Sequence, residues 1–356
     1  MGGVGSPPRR RIVCATRSCH LGEWAPNLLL TTGAARSVLH TLAVLSPPVH
    51  HDFSHRSPAR DHARLHFVVV LWGFTAILGR LIDLPPPVLV FYRVTIAAVL
   101  LAIVIALYRI PGSLPGSGTF PLFANGLLLG LHWVLFFLAV HVANVSVCMI
   151  GAATTALWTA ILEPLMVKGR RHRRYEFALG TLMVGAIALV AGGDFQYRFG
   201  LAVAIASAGV GTTFSIFNSG FSKRHDHHVI AFYQMLGATV FCGITTVVIW
   251  LISGQQPKLV PTPAEFGWLF LLASFCTVYA YSQYIELLKR LSVFTVHLAY
   301  NLEPIYGIIL AALIFQEHHQ LSPNFYLGAA IIVLAVLAKP FLERGTRRTA
   351  LRGAID

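Results

Sequence analysis

Apolar residues come in long runs along this chain, and short polar breaks separate them at regular intervals. From Phe67 onward the runs fall at roughly 67–84, 88–108, 121–141, 145–167, 177–192, 200–221, 229–252, 266–287, 292–315 and 325–339. A helix needs about 20 mostly apolar residues to cross a bilayer. Helices are predicted because in lipid the backbone polar groups must be satisfied within the segment. The breaks carry turn residues: "DLPPP", "PGSLPGSG", "SGQQPKLVPTP" and "LSPN". The pattern predicts an all-α polytopic membrane protein with ten transmembrane helices, numbered here as spans one to ten.

Charge then fixes an orientation. With the N-terminus in the cytosol, one set of loops holds Arg109, Lys168, Arg170, Arg171, Arg173, Arg174, Lys223, Arg224, Lys289 and Arg290. The C-terminal tail adds Lys339, Arg344, Arg347, Arg348 and Arg352, whereas the opposite loops hold only Arg80, Arg198 and Lys258. Basic residues collect on the cytosolic side of membrane proteins, so both termini are expected in the cytosol. A missed or extra span would scramble this alternation, so the bias also supports the count.

Composition agrees with a lipid-dissolved chain. The 356 residues are 56% hydrophobic and 12% charged, against about 25% charged in soluble domains. The formal net charge of +13 is spread between apolar runs without aromatic interleaving, which argues against nucleic acid as a partner. The cysteines form no CxxC or His/Cys metal spacing, and Cys148, Cys242 and Cys276 read as small packing residues. Residues 1–64 differ: rich in Arg, His, Pro, Ser and Gly, they hold no run long enough to span a bilayer. They are expected to be a disordered cytosolic extension, or residues upstream of the true start codon.

Ten spans also divide into two fives. "VLVFYRVTIAAVLL" (Val88–Leu101) opens span two, and "VIAFYQMLGATVFC" (Val229–Cys242) opens span seven 141 residues later. Gly79 meets Gly220 at the same offset; "NVSV" (Asn144–Val147) resembles "RLSV" (Arg290–Val293) at an offset of 146. An odd number of spans per half inverts the second half, and inverted repeats are a transporter signature, with substrate bound near the midplane between the halves. The tripeptide Leu-Glu-Pro also occurs twice, at Leu162–Pro164 and Leu302–Pro304, but out of register. Glu163 falls near the cytosolic end of span four, beside the basic run, and Glu303 near the middle of span nine.

Several segments resemble the EamA family of the drug/metabolite transporter superfamily: "HFVVVLWGFTAILGRLI", "FYR" in span two, "LHWVLFFLAVHVANVSV" and "YNLEPIYGIILAALIFQE". The resemblance covers about residues 66–340, as repeats over 66–192 and 200–340, with 341–356 as a cytosolic tail. It implies a ten-helix carrier of the cell (inner) membrane for small metabolites, commonly an exporter of amino acids or related compounds. The family's recurrent span-nine Pro and span-two Arg match Pro304 and Arg93. The late Glu-Pro of "TTALWTAILEPL" departs from the pattern, and no role passes to Glu163.

Glu303 is the first candidate for mechanism. A carboxylate at bilayer depth costs about 2.5–3.5 kcal/mol by insertion scales, so it faces a cavity or a partner. Proton coupling and a structural lock between helices are both open. Pro304 is expected to kink span nine by removing a backbone hydrogen bond. Tyr300, Glu303 and Gly307 share a helical face, predicted to line a cavity, with Asn301 and His297 on a neighbouring stripe. His132, at similar depth to Glu303, is placed to share its proton or to bond between helices. Trp133 offers an aromatic wall or simple packing. Arg93 is open to a bidentate contact with a substrate carboxylate, to snorkelling, or to pairing with an acid. "AGVGTT" (Ala208–Thr213) and "GAATTA" (Gly151–Ala156) read as packing stripes of small residues.

No Walker A, GxSxG, HExxH or kinase set occurs, and no cofactor or metal is implied. The scattered acids argue against a polytopic membrane enzyme. A non-transporting receptor and a passive facilitator stay open. The expected partners are a small-molecule substrate, the lipid bilayer and protons, and a monomer and a homodimer are equally compatible with the sequence.

Overall fold

The computed structural model describes residues 58–111, 116–167, 195–291 and 302–319 continuously, with some residues of 169–189, 296–300 and 321–338. Among the described residues the regular structure is helical: α1 (Pro58–Leu81), α2 (Pro86–Leu107), α3 (Gly116–Val142), α4 (Val145–Ala152), α5 (Thr155–Met166), α6 (Arg198–Ser222), α7 (His227–Ser253), α8 (Pro263–Ala273), α9 (Ala280–Leu288) and α10 (Glu303–Phe315). A π-helical turn, Ser274–Tyr279, joins α8 to α9. Among the described residues seven helices, counting α4 with α5 and α8 through α9 as one each, are long and apolar enough to cross a membrane. Three shorter apolar helices are Ala178–Leu189, Ile305–Phe315 and Pro323–Ala335.

Local chemistry explains the ends. Pro86 and Pro87 open α2, where a missing N–H costs nothing. Asp226 caps α7, which stops at left-handed Gly254. Thr262 and Glu265 cap α8 reciprocally, with Pro263 in the first turn.

Two expected spans are broken. Span four divides into α4 and α5 at Ala153–Thr154, where the Thr154 hydroxyl donates to the Gly151 carbonyl at 2.7 Å. In span nine, α10 begins only at Glu303, and Leu302 N–H donates to the Ala299 carbonyl at 3.0 Å in the turn before it. Span nine is thus interrupted just before Pro304, which lies in the first turn of α10. There its absent N–H is one of the donors a helix leaves unpaired anyway.

The packing comes in swapped pairs. Exchanging α1 with α6, α2 with α7, α3 with the α8–α9 segment, and α4–α5 with α10 maps the principal contacts onto one another. Thus α3 packs on α7 and the α8–α9 segment on α2; α3 packs on α6 and α9 on α1; α4 packs on α6 and α10 on α1. The pairs α2 with α7 and α4 with α10 map onto themselves. Glycines permit the closest approaches. A Cβ at Gly126 would collide with the Gln234 carbonyl oxygen, and one at Gly237 with that of Phe123, so α3 and α7 meet backbone to backbone.

Ion pairs gather at both ends of α1. At its start, Arg290 bridges Asp61 at 3.0 Å and Glu286 at 2.9 Å, and Lys289 and His227 reach Glu286 at 2.9 and 3.3 Å. Just past its end, Lys258 contacts Glu265 at 2.7 Å and Asp83 at 3.8 Å, while Asp83 N–H donates to Glu265 at 3.1 Å. Elsewhere, the buried Glu317 carboxylate accepts from Val145 N–H at 3.1 Å, Ser146 N–H at 2.9 Å and the Ser146 hydroxyl at 2.6 Å. It thereby caps α4 from the far end of α10.

Candidate functional site

A cavity of about 120 Å³ lies among these helices. Nine of its lining residues come from the segment before residue 192 and nine from that after residue 198. The first group brings Trp72 and Thr75 of α1, Arg93 of α2, His132 and Trp133 of α3, and Thr155 of α5. The second brings Ser207 and Gly211 of α6, Tyr281 and Tyr284 of α9, and Tyr300 and Glu303 at the break before α10.

Arg93 is 1% exposed, and its guanidinium carbon sits 4.0 Å from the centroid of the Trp133 ring and 5.7 Å from that of Phe137. Its Nε donates to the Thr277 hydroxyl at 2.7 Å. Burial of this kind rules out snorkelling to the interface. Among the described residues no carboxylate lies within ion-pair distance of Arg93, and its Nη1 is buried without a hydrogen-bond partner.

The π turn holds this arrangement. Its Thr277 hydroxyl donates to the Leu272 carbonyl five residues back at 2.9 Å, leaving an oxygen lone pair for Arg93. The neighbouring Cys276 carbonyl accepts from Trp72 Nε1 at 3.0 Å. Two cavity side chains from the first half are therefore anchored on one widened turn of the second. Such turns are frequent at functional sites.

His132 is held by Ser207, whose carbonyl and hydroxyl oxygens both lie 2.9 Å from Nδ1, while the hydroxyl also reaches the His132 carbonyl at 2.9 Å. A carbonyl can only accept, so Nδ1 carries hydrogen and Nε2 is the acceptor of the neutral ring. Gly211 leaves room for this ring: a Cβ there would lie 2.8 Å from Nδ1.

An aromatic wall completes the cavity. Trp72 meets Tyr300 edge-on at 4.7 Å between centroids and Tyr284 at 5.5 Å. Tyr284 donates to the Ser215 hydroxyl at 2.8 Å. Tyr281 donates to Gln234 Oε1, Gln234 Nε2 donates to Asn218 Oδ1 at 3.0 Å, and Asn218 Nδ2 donates back to Tyr281 at 3.4 Å. That closed triangle fixes the Tyr281 ring. Gln234, the repeat partner of Arg93, thus serves a neutral network rather than a charged one.

The cavity brings together Glu303, Tyr300, His132, Trp133 and Arg93 from the sequence-based set. Gly307 is not among its lining residues; a Cβ there would sit 2.8 Å from the Met149 side chain, so Gly307 serves close packing of α10 on α4. His297 and Asn301 lie outside the described residues. Of the predicted packing stripes, Gly151 meets Ala204 and Gly209 faces Trp158, as packing requires, but Ala208 and Gly211 line the cavity. Glu163 is buried, while most of the basic run expected beside it lies outside the described residues. Trp72, Tyr281, Tyr284 and Thr277 escaped sequence reasoning. Their aromatic or β-branched character is common in membrane packing and carries no distinguishing period.

Comparison with known proteins gives this architecture a class. The EamA-like transporter family model matches residues 65–192 and again 198–338, so the chain belongs to that family and carries its repeat twice. It is a multi-pass membrane protein. It is similar to solute carrier family 35 member E4 of Rattus norvegicus, 27% identical over 187 residues, which cover 52% of this chain and 53% of the rat protein. It is also similar to an uncharacterized transporter of Archaeoglobus fulgidus, 23% identical over 78% of this chain and 96% of the archaeal protein. A protein of known crystal structure shares the fold with a TM-score of 0.60 at 18% identity, over 80% of this chain and 99% of the other.

Proposed function

We propose that this protein is a ten-helix secondary transporter of the cell (inner) membrane, built from two inverted five-helix halves with both termini in the cytosol. It exports a small metabolite, such as an amino acid or related compound, by alternating access. The observation that carries this reading is the cavity lined equally by both family repeats, which the Arg93 guanidinium and the Glu303 carboxyl both face. Among the described residues no hydrogen bond or ion pair occupies the Glu303 carboxylate. A site between repeats, next to broken helices at corresponding places in the two halves, suits rocking of one half against the other.

Glu303 serves as the proton carrier in this reading, and His132 Nε2 is the acceptor poised on the same cavity. The swapped packing pairs support the inverted two-fold relation. The ion-pair clusters at the two ends of α1 are the contacts that must open alternately. A passive facilitator is the closest alternative, because the same cavity would conduct without proton transfer.

A substrate screen tests the proposal: efflux and resistance to toxic metabolites are compared in cells with and without the protein. Lower accumulation of at least one small metabolite is expected. Equal accumulation of every compound, with the protein inserted in the membrane, would overturn the reading.

A further inference from the structure

We propose that Arg93 receives a carboxylate on the transported molecule, and that Thr277 is the residue that positions it to do so. This rests on the transporter reading and adds the chemistry of its substrate.

A guanidinium stays charged in a protein, and a buried charge is retained only with compensation. Arg93 has incomplete compensation. The Trp133 face and the Thr277 oxygen are neutral partners, and no carboxylate is within ion-pair distance among the described residues. The buried Nη1 has no hydrogen-bond partner there. Glu303 lines the same cavity but stays beyond ion-pair distance. The missing element is an anion that arrives from outside the protein.

The fixed geometry favours a planar oxyanion. Thr277 engages Nε, and its own proton is committed to the Leu272 carbonyl by the π register. The hydroxyl is therefore an acceptor for Arg93, and the guanidinium's far edge is left for the two parallel bonds that a carboxylate makes. The small cavity and its aromatic rings add an apolar berth for the rest of the molecule. The ligand class is a small organic carboxylate with an apolar or aryl side group.

The test uses the full-length protein purified in detergent and three probes of one shape: phenylacetate, phenylacetamide and phenethylamine. Binding is read from the fluorescence of the tryptophans, two of which line the cavity. Phenylacetate should bind saturably and about ten-fold or more tighter than its amide, the ratio expected for a charge-assisted hydrogen bond. Thr277→Val should weaken phenylacetate about five-fold or more while leaving the amide unchanged, and Thr277→Ser should restore it. Arg93→Gln should abolish the preference. Equal binding of acid and amide, or preference for the amine, overturns the proposal and leaves the transporter reading intact. No binding of any of the three also overturns the proposal, while the transporter reading stands or falls by the efflux screen. Equal loss of acid and amide binding in Thr277→Val overturns the positioning role.

Discussion

The guanidinium of Arg93 lies over the ring of Trp133 at 4.0 Å, joining α2 to α3 inside the membrane-embedded part of the protein. The pair links two facts that are awkward apart: a fully buried cation and a nearly buried indole on a cavity wall. The electron-rich ring face replaces part of the water that Arg93 has lost, which contributes about 2 kcal/mol when both groups are desolvated. Trp133→Ala should therefore lower stability by about 3–5 kcal/mol, the usual cost of truncating a buried Trp. Trp133→Phe keeps a ring face and should lose less. Thermal unfolding of the two variants in detergent checks the order.

Glu317 makes a second long-range tie, from the end of α10 to the start of α4. Three groups donate to its carboxylate, and its residue is 4% exposed. Glu317→Ala strands them and should destabilise by on the order of 3 kcal/mol, given the strength of hydrogen bonds to buried charges. Glu317→Gln keeps an acceptor oxygen and should fall between. Unfolding midpoints in detergent are the readout, and equal midpoints for all three proteins would exclude the cap as a stabilising contact.

The α3–α7 contact depends on two glycines. A methyl group at Gly126 or Gly237 meets a backbone carbonyl, which cannot rotate away as a side-chain tip can. Gly126→Ala and Gly237→Ala should each cost at least about 1–3 kcal/mol, the range for overpacking. Gly254→Ala offers a comparison of a different kind, because open space surrounds Gly254 and only its left-handed φ of 66° opposes a side chain. Monodispersity after extraction should fall for the first two variants and hold for the third.

Asp226, between α6 and α7, predicts a pH effect. Burial pushes its carboxyl up, but the His228 N–H bond and the adjacent His227 and His228 outweigh this and hold it below its ordinary 3.8. A lowered folded value means the stabilisation is complete above the unfolded value and disappears as pH falls through the folded one. The difference in unfolding midpoint between the protein and Asp226→Asn should be largest above about pH 5 and shrink towards pH 3. A difference that grows on acidification would reverse the sign of the argument.

Much of the membrane architecture was legible because lipid imposes a long, repeated requirement that hydropathy records directly. The site was legible where a residue was costly: Glu303, Arg93 and His132 stand out in apolar runs and line one cavity. The first break was hidden because "ATTA" sits between apolar runs and passes as continuous helix. Proline's preference for a first helical turn, applied to Pro304, was the signal for the second break. The π turn at Ser274–Tyr279 leaves no trace in composition, since one extra residue in a turn changes register without changing residue type. The face shared by Tyr300, Glu303 and Gly307 reaches the cavity through its first two residues. One turn beyond Glu303 on the same helix, Met149 of α4 packs against Gly307 and covers it.

The central claim is that substrate and proton use one cavity through Glu303. The direct measurement is flux of a substrate from the screen in proteoliposomes under an imposed pH gradient, comparing the unaltered protein with Glu303→Gln. The expected result is gradient-driven flux in the first, and flux that is lost or indifferent to the gradient in the second, with equal insertion. Unchanged flux and an unchanged pH profile in Glu303→Gln would contradict the claim.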